Sequence, residues 1–399
     1  MPKFIYTAKS RDGKTIVQEM EADSKEMVVA KLRERGLFVT QIKPKGKEIV
    51  LFQRSISTKE VAVFARQFAT MINAGVPLVR CLSILAQQLE NPRFREVVNL
   101  IKQDVEAGST FSAALEKHPK VFSDLFVNLV KAGEAGGILD EILERLANYL
   151  EESEALKAKV KGALTYPAVI LTIAFLVVIF LLTVIIPQFQ SIFDQMGSAE
   201  MPAVTQFLLS ISKFMQEYIY FIIFGVIAIG IGLKQFFSTK QGRRIWDVNI
   251  LKIPVIGMLM KKVAIAKFTR TLGTLVASGV PILQALEVTA DTAGNVVISE
   301  AIMHTRQSIK EGESIAVPLK SSKIFPPMVV QMIAVGEETG ELDKMLIKIA
   351  DFYDSEVDAA VKALTSIIEP VVIVIMGLVV GFIVLAVFLP MINLIQGQA

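Results

Sequence analysis

Residues 133–140 read GEAGGILD, and residues 336–343 read GEETGELD. A second pair of similar segments lies upstream, where residues 64–77 read FARQFATMINAGVP and residues 268–281 read FTRTLGTLVASGVP. The first pair is separated by 203 positions and the second pair by 204. Two motifs that recur at nearly the same spacing indicate an internal duplication, and a duplication of this kind decides how the fold is organised.

Each copy has the apolar periodicity of a helical bundle. Directly after the acidic motif, apolar residues follow the same sequence of steps at positions 139, 142, 143, 146, 149 and 150, and again at 342, 345, 346, 349, 352 and 353. This spacing predicts one buried face of an α-helix in each copy. Ser57 and Glu60 have the spacing of a capping box, which predicts a helix start. We therefore predict two modules of about six helices, at residues 57–165 and 258–367.

Three long apolar segments separate or follow the duplicated regions. They are residues 167–187, 218–237 and 370–392, and each can cross a membrane because twenty helical residues extend about 30 Å. Pro167 and Pro370 are predicted to open the first and third spans, and residues 188–217 are predicted to form the loop between the first two. The chain is therefore predicted to be a mostly α integral membrane protein with three transmembrane helices.

The distribution of basic residues predicts the orientation of the spans, because lysine and arginine concentrate in their cytoplasmic flanks. Lysines precede the first and third spans, and Lys240, Arg243 and Arg244 follow the second. The loop contains one lysine, Lys213, against three acidic residues. We predict that the N-terminus and both modules are cytoplasmic, and that the loop and the C-terminus are periplasmic.

Residues 1–50 have a different pattern. Two runs of β-forming residues, at 4–8 and 15–21, flank an Asp-Gly pair that is typical of a hairpin turn. A helix from Asp23 to Gly36 and a third strand at residues 37–42 are predicted to follow. This segment is predicted to be a small cytoplasmic α+β domain.

The composition argues against several classes of function. A net charge of +3 over 399 residues, without a basic block, argues against a nucleic-acid-binding protein. Cys81 is the single cysteine, and His118 and His304 lack the spacing of a zinc site. The Gly-x-x-x-x-Gly-Lys phosphate loop is also missing from the sequence. We predict no catalytic residues, no cofactor and no metal site, and therefore no enzyme.

The acidic turns of the two copies have two possible interpretations. Glu134 and Glu337 could hold a divalent cation or dock a basic partner surface. Alternatively the motif is structural, with glycines that form a tight helix–helix turn and aspartates that cap the next helix. We favour the structural interpretation. The predicted structural residues are Gly75, Pro77, Gly133, Glu134, Gly137, Asp140, Gly279, Pro281, Gly336, Glu337, Gly340 and Asp343.

The duplicated Gly-Val-Pro and Gly-Glu-x-x-Gly-x-Leu-Asp motifs, combined with three spans and a small N-terminal domain, resemble the type II secretion F-protein family over nearly the whole chain. Within the family, the chain is most similar to the inner-membrane platform proteins of type IV pilus assembly. The resemblance implies a bacterial inner-membrane scaffold that couples cytoplasmic assembly and retraction ATPases to pilin insertion or removal. It also implies contacts with pilins and other inner-membrane pilus assembly proteins, and self-association into a homo-oligomer.

A platform without a nucleotide site needs a surface that contacts its motor. The helix after the first acidic turn has a charged face, and we predict that Glu144 and Glu151 on this face contact the ATPase. The alternative is that both are simply part of a solvated helix face.

Other functions fit parts of the same pattern. The family motifs also fit the platform of a type II secretion (pseudopilus) system. A membrane channel or transporter is a more remote alternative, because transporters usually place ionisable groups at the membrane midplane and the first and third spans contain none.

Overall fold

The computed structural model describes residues 3–9, 15–21, 25, 27, 29, 38–44, 55–188 and 203–397. The chain divides into two compact units, Met1–Ser55 and Ile56–Ala399. The second unit contains both copies of the duplicated module and the apolar helices.

The N-terminal unit contains a three-stranded antiparallel sheet in the order β2-β1-β3. Lys3 of β1 lies opposite Glu21 of β2, and Phe4 of β1 lies opposite Pro44 of β3. The strands are β1 (Lys3–Lys9), β2 (Thr15–Glu21) and β3 (Phe38–Pro44), close to the three predicted strands. Residues 25, 27 and 29 are helical, and the rest of the predicted helix and the Asp-Gly turn lie outside the described residues.

Six helices form the first copy of the duplicated module. They are α1 (Thr58–Asn73), α2 (Leu78–Gln88), α3 (Pro92–Glu106), α4 (Phe111–Glu116), α5 (Asp124–Gly136) and the first part of α6 (Leu139–Phe180). The start of α1 has the predicted capping box. Ser57 Oγ accepts the Glu60 N–H at 3.2 Å, and Glu60 Oε2 accepts the Ser57 N–H at 2.7 Å.

The second copy repeats the same order of helices. It consists of α9 (Ile256–Ala277), α10 (Ile282–Thr292), α11 (Val296–Lys310), α12 (Ala316–Ser321), α13 (Pro327–Thr339) and the first part of α14 (Leu342–Gly397). Two further helices, α7 (Ala203–Ser238) and α8 (Lys240–Ile250), lead into this copy. The prediction of a mostly helical chain with a repeated module is confirmed.

The two copies share one apolar core. Phe64 and Phe122 are fully buried in the first copy, and the rings of Phe268 and Phe325 are 4.9 Å apart in the second. A buried hydrogen bond of 3.0 Å joins the hydroxyls of Tyr149 and Thr271 across the two copies. The predicted modules are therefore packed together as one body.

Among the residues that the structure describes, three helices are long and apolar enough to cross a membrane, as predicted. The first and third spans are not separate helices, however, because α6 and α14 continue from the modules through residues 167–187 and 370–392. A π-helical turn, Leu181–Ile185, follows α6. Pro167 and Pro370 therefore lie inside helices and do not begin them. Proline removes one backbone hydrogen bond, whereas a helix end inside the hydrocarbon would leave several groups unpaired.

The predicted loop at residues 188–217 is shorter than expected. Residues 203–217 form the beginning of α7, and residues 189–202 lie outside the described part of the chain. Polar side chains of this helical segment bind the backbone of the other two spans: Thr205 donates to Ala386 O at 2.6 Å, and Ser212 donates to Leu182 O at 2.5 Å. Such contacts join the three spans at one end.

Candidate functional site

Glu134, the acidic residue of the first turn, lies in the last turn of α5 and caps the start of α4. Its carboxylate accepts the N–H of Phe111 at 2.6 Å and the N–H of Ser112 at 2.9 Å, and Ser112 Oγ donates to it at 2.5 Å. The first N–H groups of a helix have no partner within the helix, and the helix dipole favours a negative charge there. Both oxygens of Glu134 are thus used to hold α4 against α5.

Glu337 makes the equivalent contact in the second copy. Its two carboxylate oxygens accept the N–H of Ile315, the residue before α12, at 3.1 and 3.0 Å. This repeated capping contact supports the structural interpretation of the acidic turns. Within the described ranges, no three His, Cys, Asp or Glu side chains are grouped so that they could hold a metal ion.

The glycines of the acidic turns have two separate roles. Gly137 and Gly340 end α5 and α13 with φ of 69° and 73°, in the left-handed region that glycine adopts without strain. Gly133 and Gly336 lie inside those helices, where the next helix crosses closely. A Cβ at Gly133 would lie 3.0 Å from Ile142 Cβ, and one at Gly336 would lie 3.0 Å from Leu342 Cα.

Asp140 and Asp343 are not helix caps, in contrast to the prediction. Helices α6 and α14 begin at Leu139 and Leu342, so each aspartate is already the second helical residue. The residue before α6, Ile138, makes no side-chain capping bond. Ile138 occupies the cap position before α6, and its side chain has no oxygen that could accept a helix N–H. The two carboxylates lie in the first helical turn, where the helix dipole favours their charge.

The Gly-Val-Pro segments connect the first two helices of each copy. Gly75 and Gly279 adopt φ of 79° and 76°, and Pro77 and Pro281 directly precede α2 and α10. The observed backbone fits the predicted stop of one helix and start of the next.

Arg66 of α1 binds the two carboxylates that were predicted to contact an ATPase. Its guanidinium lies 2.5 Å from Glu144 Oε1 and 2.6 Å from Glu151 Oε2, and it also donates to Asn148 Oδ1. Glu144 is half-buried, and Asn148 and Glu151 are exposed. The structure therefore brings Glu144 and Glu151 together on a surface bridge between α1 and α6, and Arg66 was not among the predicted site residues.

Arg270 of α9 occupies the equivalent position in the second copy and is more deeply buried than Arg66. It binds Asp351 Oδ1 at 3.0 Å and also pairs with Asp354, both on α14. A third partner, Glu152 at 3.0 Å, belongs to α6 of the first copy. Arg270 thus links the two copies. Two further contacts also join the copies: the Tyr149–Thr271 hydrogen bond and the Lys159–Asp358 ion pair at 2.8 Å.

The pKa values of Glu151 and Glu152, one in each arginine cluster, are shifted in opposite directions. Hydrogen bonding to Arg66 holds the pKa of Glu151 below its ordinary value of 4.5. Burial raises the pKa of Glu152, and the nearby negative charges of Asp351 and Asp354 add to this effect, while Arg270 opposes it. All of these groups lie outside the apolar part of α6.

Comparison with known proteins agrees with the duplicated architecture. The family model described as "Type II secretion system (T2SS), protein F" matches residues 64–187 and again residues 268–390, which are the two copies with their following spans. The family model described as "Type II secretion system protein F, N-terminal domain" matches residues 1–43.

Several similar proteins align over nearly their full lengths. The type IV pilus assembly protein PilC of Myxococcus xanthus is 48% identical, over 98% of this chain and 95% of that protein. PilC of Thermus thermophilus is 43% identical, over 99% and 98%. The type II secretion system protein F of Vibrio cholerae is 35% identical, over 99% and 98%. The chain is thus a homologue of type IV pilus assembly proteins, and with its three apolar helices it is a multi-pass membrane protein that belongs to the type II secretion system protein F family.

Proposed function

We propose that this chain is the inner-membrane platform of a type IV pilus assembly machine. The observation that carries the proposal is its similarity to type IV pilus assembly proteins, at 39–48% identity over nearly the whole chain. Members of the family are non-enzymatic platform proteins, in agreement with the prediction that the chain is not an enzyme.

The proposed orientation places the N-terminal unit and both modules in the cytoplasm, and the C-terminus in the periplasm. It is supported by the lysines before the first and third spans and by the basic residues after the second.

The continuous helices suggest how such a platform couples motion across the membrane. A helix of 56 residues, such as α14, has a contour length of about 84 Å along its axis. Because α6 and α14 each contain both a module segment and a membrane span, a movement of the packed modules is transmitted directly to two spans. An ATPase that turns or displaces the modules would therefore move the surface that pilins meet in the membrane.

The proposed partners follow from this role. They are cytoplasmic pilus assembly and retraction ATPases, pilins, other inner-membrane pilus assembly proteins and further copies of this chain. Family membership supports partners within the pilus machinery in general.

A test of the proposal weakens α6 between module and span. Residues 162–165 read GALT and lie just before Pro167. Changing Ala163, Leu164 and Thr165 to glycine lowers helix propensity by up to about 1 kcal/mol per residue, whereas the matched control changes Gly162, Leu164 and Thr165 to alanine and keeps the helix continuous. In a strain that lacks the native gene, the alanine variant should restore surface pili and the glycine variant should not. Both variants should be present in the membrane in equal amounts.

The outcomes distinguish the transmission of movement through α6 from the platform role of the protein. Normal pili with the glycine variant would contradict transmission through α6 while leaving the platform role in place. Normal pili after deletion of the whole gene would contradict the platform role.

Contact between the ATPase and the Glu144–Glu151 face stays a prediction, and Arg66 changes how it has to be tested. Reversing the two carboxylates alone would break the bridge to α1. The charge swap Arg66→Glu with Glu144→Arg and Glu151→Arg keeps both ion pairs but reverses their direction. Loss of ATPase capture by the swapped protein at low salt, with unchanged thermal unfolding, would support docking on this face. Unchanged capture would leave it a purely structural bridge.

A second candidate function is the platform of a type II secretion system. It is supported by the 35% identity to the secretion protein of Vibrio cholerae. Loss of secreted enzymes with normal pili in the deletion strain would favour this alternative.

A further inference from the structure

Helix α8 leaves the second span through a tight elbow. Thr239 Oγ1 accepts the Gly242 N–H at 3.1 Å and donates to Phe236 O at 2.7 Å. A Cβ at Gly242 would lie 2.0 Å from Phe236 O, so only glycine permits this approach. The elbow therefore fixes the angle between α7 and α8.

One face of α8 is docked on the second copy of the module. The buried Asp247 carboxylate accepts the Val296 N–H at 2.8 Å, and Asn295 Nδ2 donates to Asp247 O at 3.1 Å. Arg244 lies 3.3 Å from Glu300 on α11. These contacts determine which side of α8 faces away from the protein.

The outward side of α8 carries two exposed apolar residues, Ile245 and Trp246, together with the exposed Asn249. Ile245 lies about 200° around the helix from Asp247, because successive helical residues are rotated by about 100°. The residue is 53% exposed, and the neighbouring Trp246 is 47% exposed. The indole of Trp246 contacts Phe237, with ring centroids 5.0 Å apart, at the end of the span.

The turn after α8 carries further exposed apolar residues. Ile253, Ile256 and Met258 are exposed, and Met258 is 61% accessible. Val255 in the same turn has φ of 67°, a strained conformation for a β-branched residue. Gly257 allows the turn to close, since a Cβ there would lie 2.4 Å from Leu251 O.

Basic residues border the apolar surface. Lys240, Arg243 and Lys252 are exposed, and none of them has a carboxylate partner among the residues that the structure describes. A helix with an apolar face, a tryptophan and unpaired basic residues has the composition of an interfacial membrane helix.

We propose that residues 240–258, the interfacial elbow, bind the surface of an anionic phospholipid bilayer. The surface continues directly from a span, so it begins at the membrane boundary. Ile245, Trp246 and Met258 enter the acyl boundary, while Arg243 and the lysines meet the phosphates. The second copy of the module is thereby attached to the membrane at both ends, through α8 and through α14.

Trp246 provides a direct test because it is the single tryptophan of the chain. The full-length protein is reconstituted in vesicles of phosphatidylcholine, with or without phosphatidylglycerol, and its fluorescence is quenched with acrylamide or with phospholipids brominated at shallow acyl positions. In phosphatidylglycerol vesicles we expect strong quenching by the brominated lipid and weak quenching by acrylamide. In phosphatidylcholine alone we expect Trp246 to become more accessible to acrylamide.

Two neighbouring arginines give matched variants. Arg243→Gln should lower the ratio of shielded to accessible Trp246 in phosphatidylglycerol vesicles about fivefold, the effect expected of one basic residue at an anionic surface. Arg244→Gln, which removes the residue that faces Glu300, should leave the ratio unchanged.

Three results would overturn the proposal. The first is that Trp246 remains accessible to acrylamide in both kinds of vesicle and is not quenched by brominated lipid. The second is that Trp246 is shielded equally in both lipids and that Arg243→Gln does not change this shielding, which would overturn the preference for anionic lipid. Finally, shielding that arises only after a purified cytoplasmic partner is added would assign the surface to a protein.

Discussion

Gly133 and Gly336 occupy the same position in the two copies, where two consecutive helices come closest. The nearest atoms to an added Cβ include Leu139 Cα in the first copy and Leu342 Cα in the second, and backbone atoms cannot move aside as a flexible side chain would. Gly133→Ala and Gly336→Ala should each lower the free energy of unfolding by about 1–2 kcal/mol, since overpacking outweighs the gain in helix propensity. Thermal unfolding in detergent measures the effect.

Gly162 is the matched control for this pair. It is also a helical glycine, but an added Cβ would have no atom within 4 Å. Gly162→Ala should therefore stabilise the protein slightly or leave it unchanged. Equal responses of all three variants would show that the close approach of the helices does not determine the choice of glycine.

Glu151 should make stability depend on pH in the acid range. Its pKa is held below 4.5 by Arg66, so the ionised form is favoured in the folded protein. A carboxyl with a lowered pKa stabilises the fold above its ordinary pKa, and this contribution disappears as the pH falls through the folded-state pKa. Glu151→Gln should therefore lower the melting temperature near neutral pH and lose less stability than the wild type on acidification.

The control for Glu151 lies on the same helix. Glu141 pairs with Arg145 one turn away, in an exposed i,i+4 pair that contributes little. Glu141→Gln should keep the acid dependence of the wild type. If Glu151→Gln and the wild type lost stability in parallel below pH 4.5, the bridge to Arg66 would not be a source of acid sensitivity.

At the scale of single residues, the sequence predicted the positions of the motifs better than their contacts. The glycines and acidic residues were identified by repetition, but Glu134 acts on α4, which is 22 residues upstream. Arg66 could have been considered, because Glu144, Asn148 and Glu151 form a polar stripe at helical spacing that a basic residue can bridge. The contact of Glu152 could not be predicted, since its partner Arg270 lies in the other copy.

The helices α6 and α14 show the predicted apolar face at equivalent positions. Leu143 and Leu346 are fully buried in the shared core. Leu143→Ala and Leu346→Ala should each lower the free energy of unfolding by about 2–5 kcal/mol, as expected for buried leucines. The full-length protein is the appropriate sample, because the two copies share one core and an isolated copy would expose the common face.

Leu100 serves as the control for the two leucines. It lies on α3 and is largely exposed, so Leu100→Ala should change stability by less than about 1 kcal/mol. Unchanged unfolding of Leu143→Ala and Leu346→Ala would contradict the helical register read from the periodicity.

Helices α6 and α14 are continuous through Pro167 and Pro370, whereas the sequence predicts that these prolines open separate spans. Near Pro167 the composition changes from charged to apolar, and the sequence predicts that this proline opens the first span. Backbone hydrogen bonding in a helix does not depend on side-chain polarity, so one helix can pass from water into lipid. Residues 203–217 were misassigned for a related reason, since their polar side chains bind neighbouring spans.

On the scale of the molecule, the duplication could be predicted but the packing of its copies could not. A repeat fixes the internal design of each copy and contains no information on how the copies meet. The contacts between them involve Tyr149, Glu152 and Lys159 of α6, which read as ordinary amphipathic helix residues until the partners Thr271, Arg270 and Asp358 are known.

An odd number of spans requires the two termini of the chain to lie on opposite sides of the membrane. Within the described part of the chain three helices are long and apolar enough to cross, and the basic flanks predict that the N-terminal side is cytoplasmic. A reporter that is active only in the periplasm should therefore be silent when fused at Met1 and active when fused at Ala399. A fusion after Ser198, between the first two spans, should also be active, and one after Lys252 should be silent because it lies beyond the second span. The fusions at the two termini leave the helices intact and serve as the reference for the internal ones. Activity at both termini would show that one of the three apolar helices does not cross, and the opposite pattern would place the modules outside the cytoplasm, beyond the reach of any ATPase.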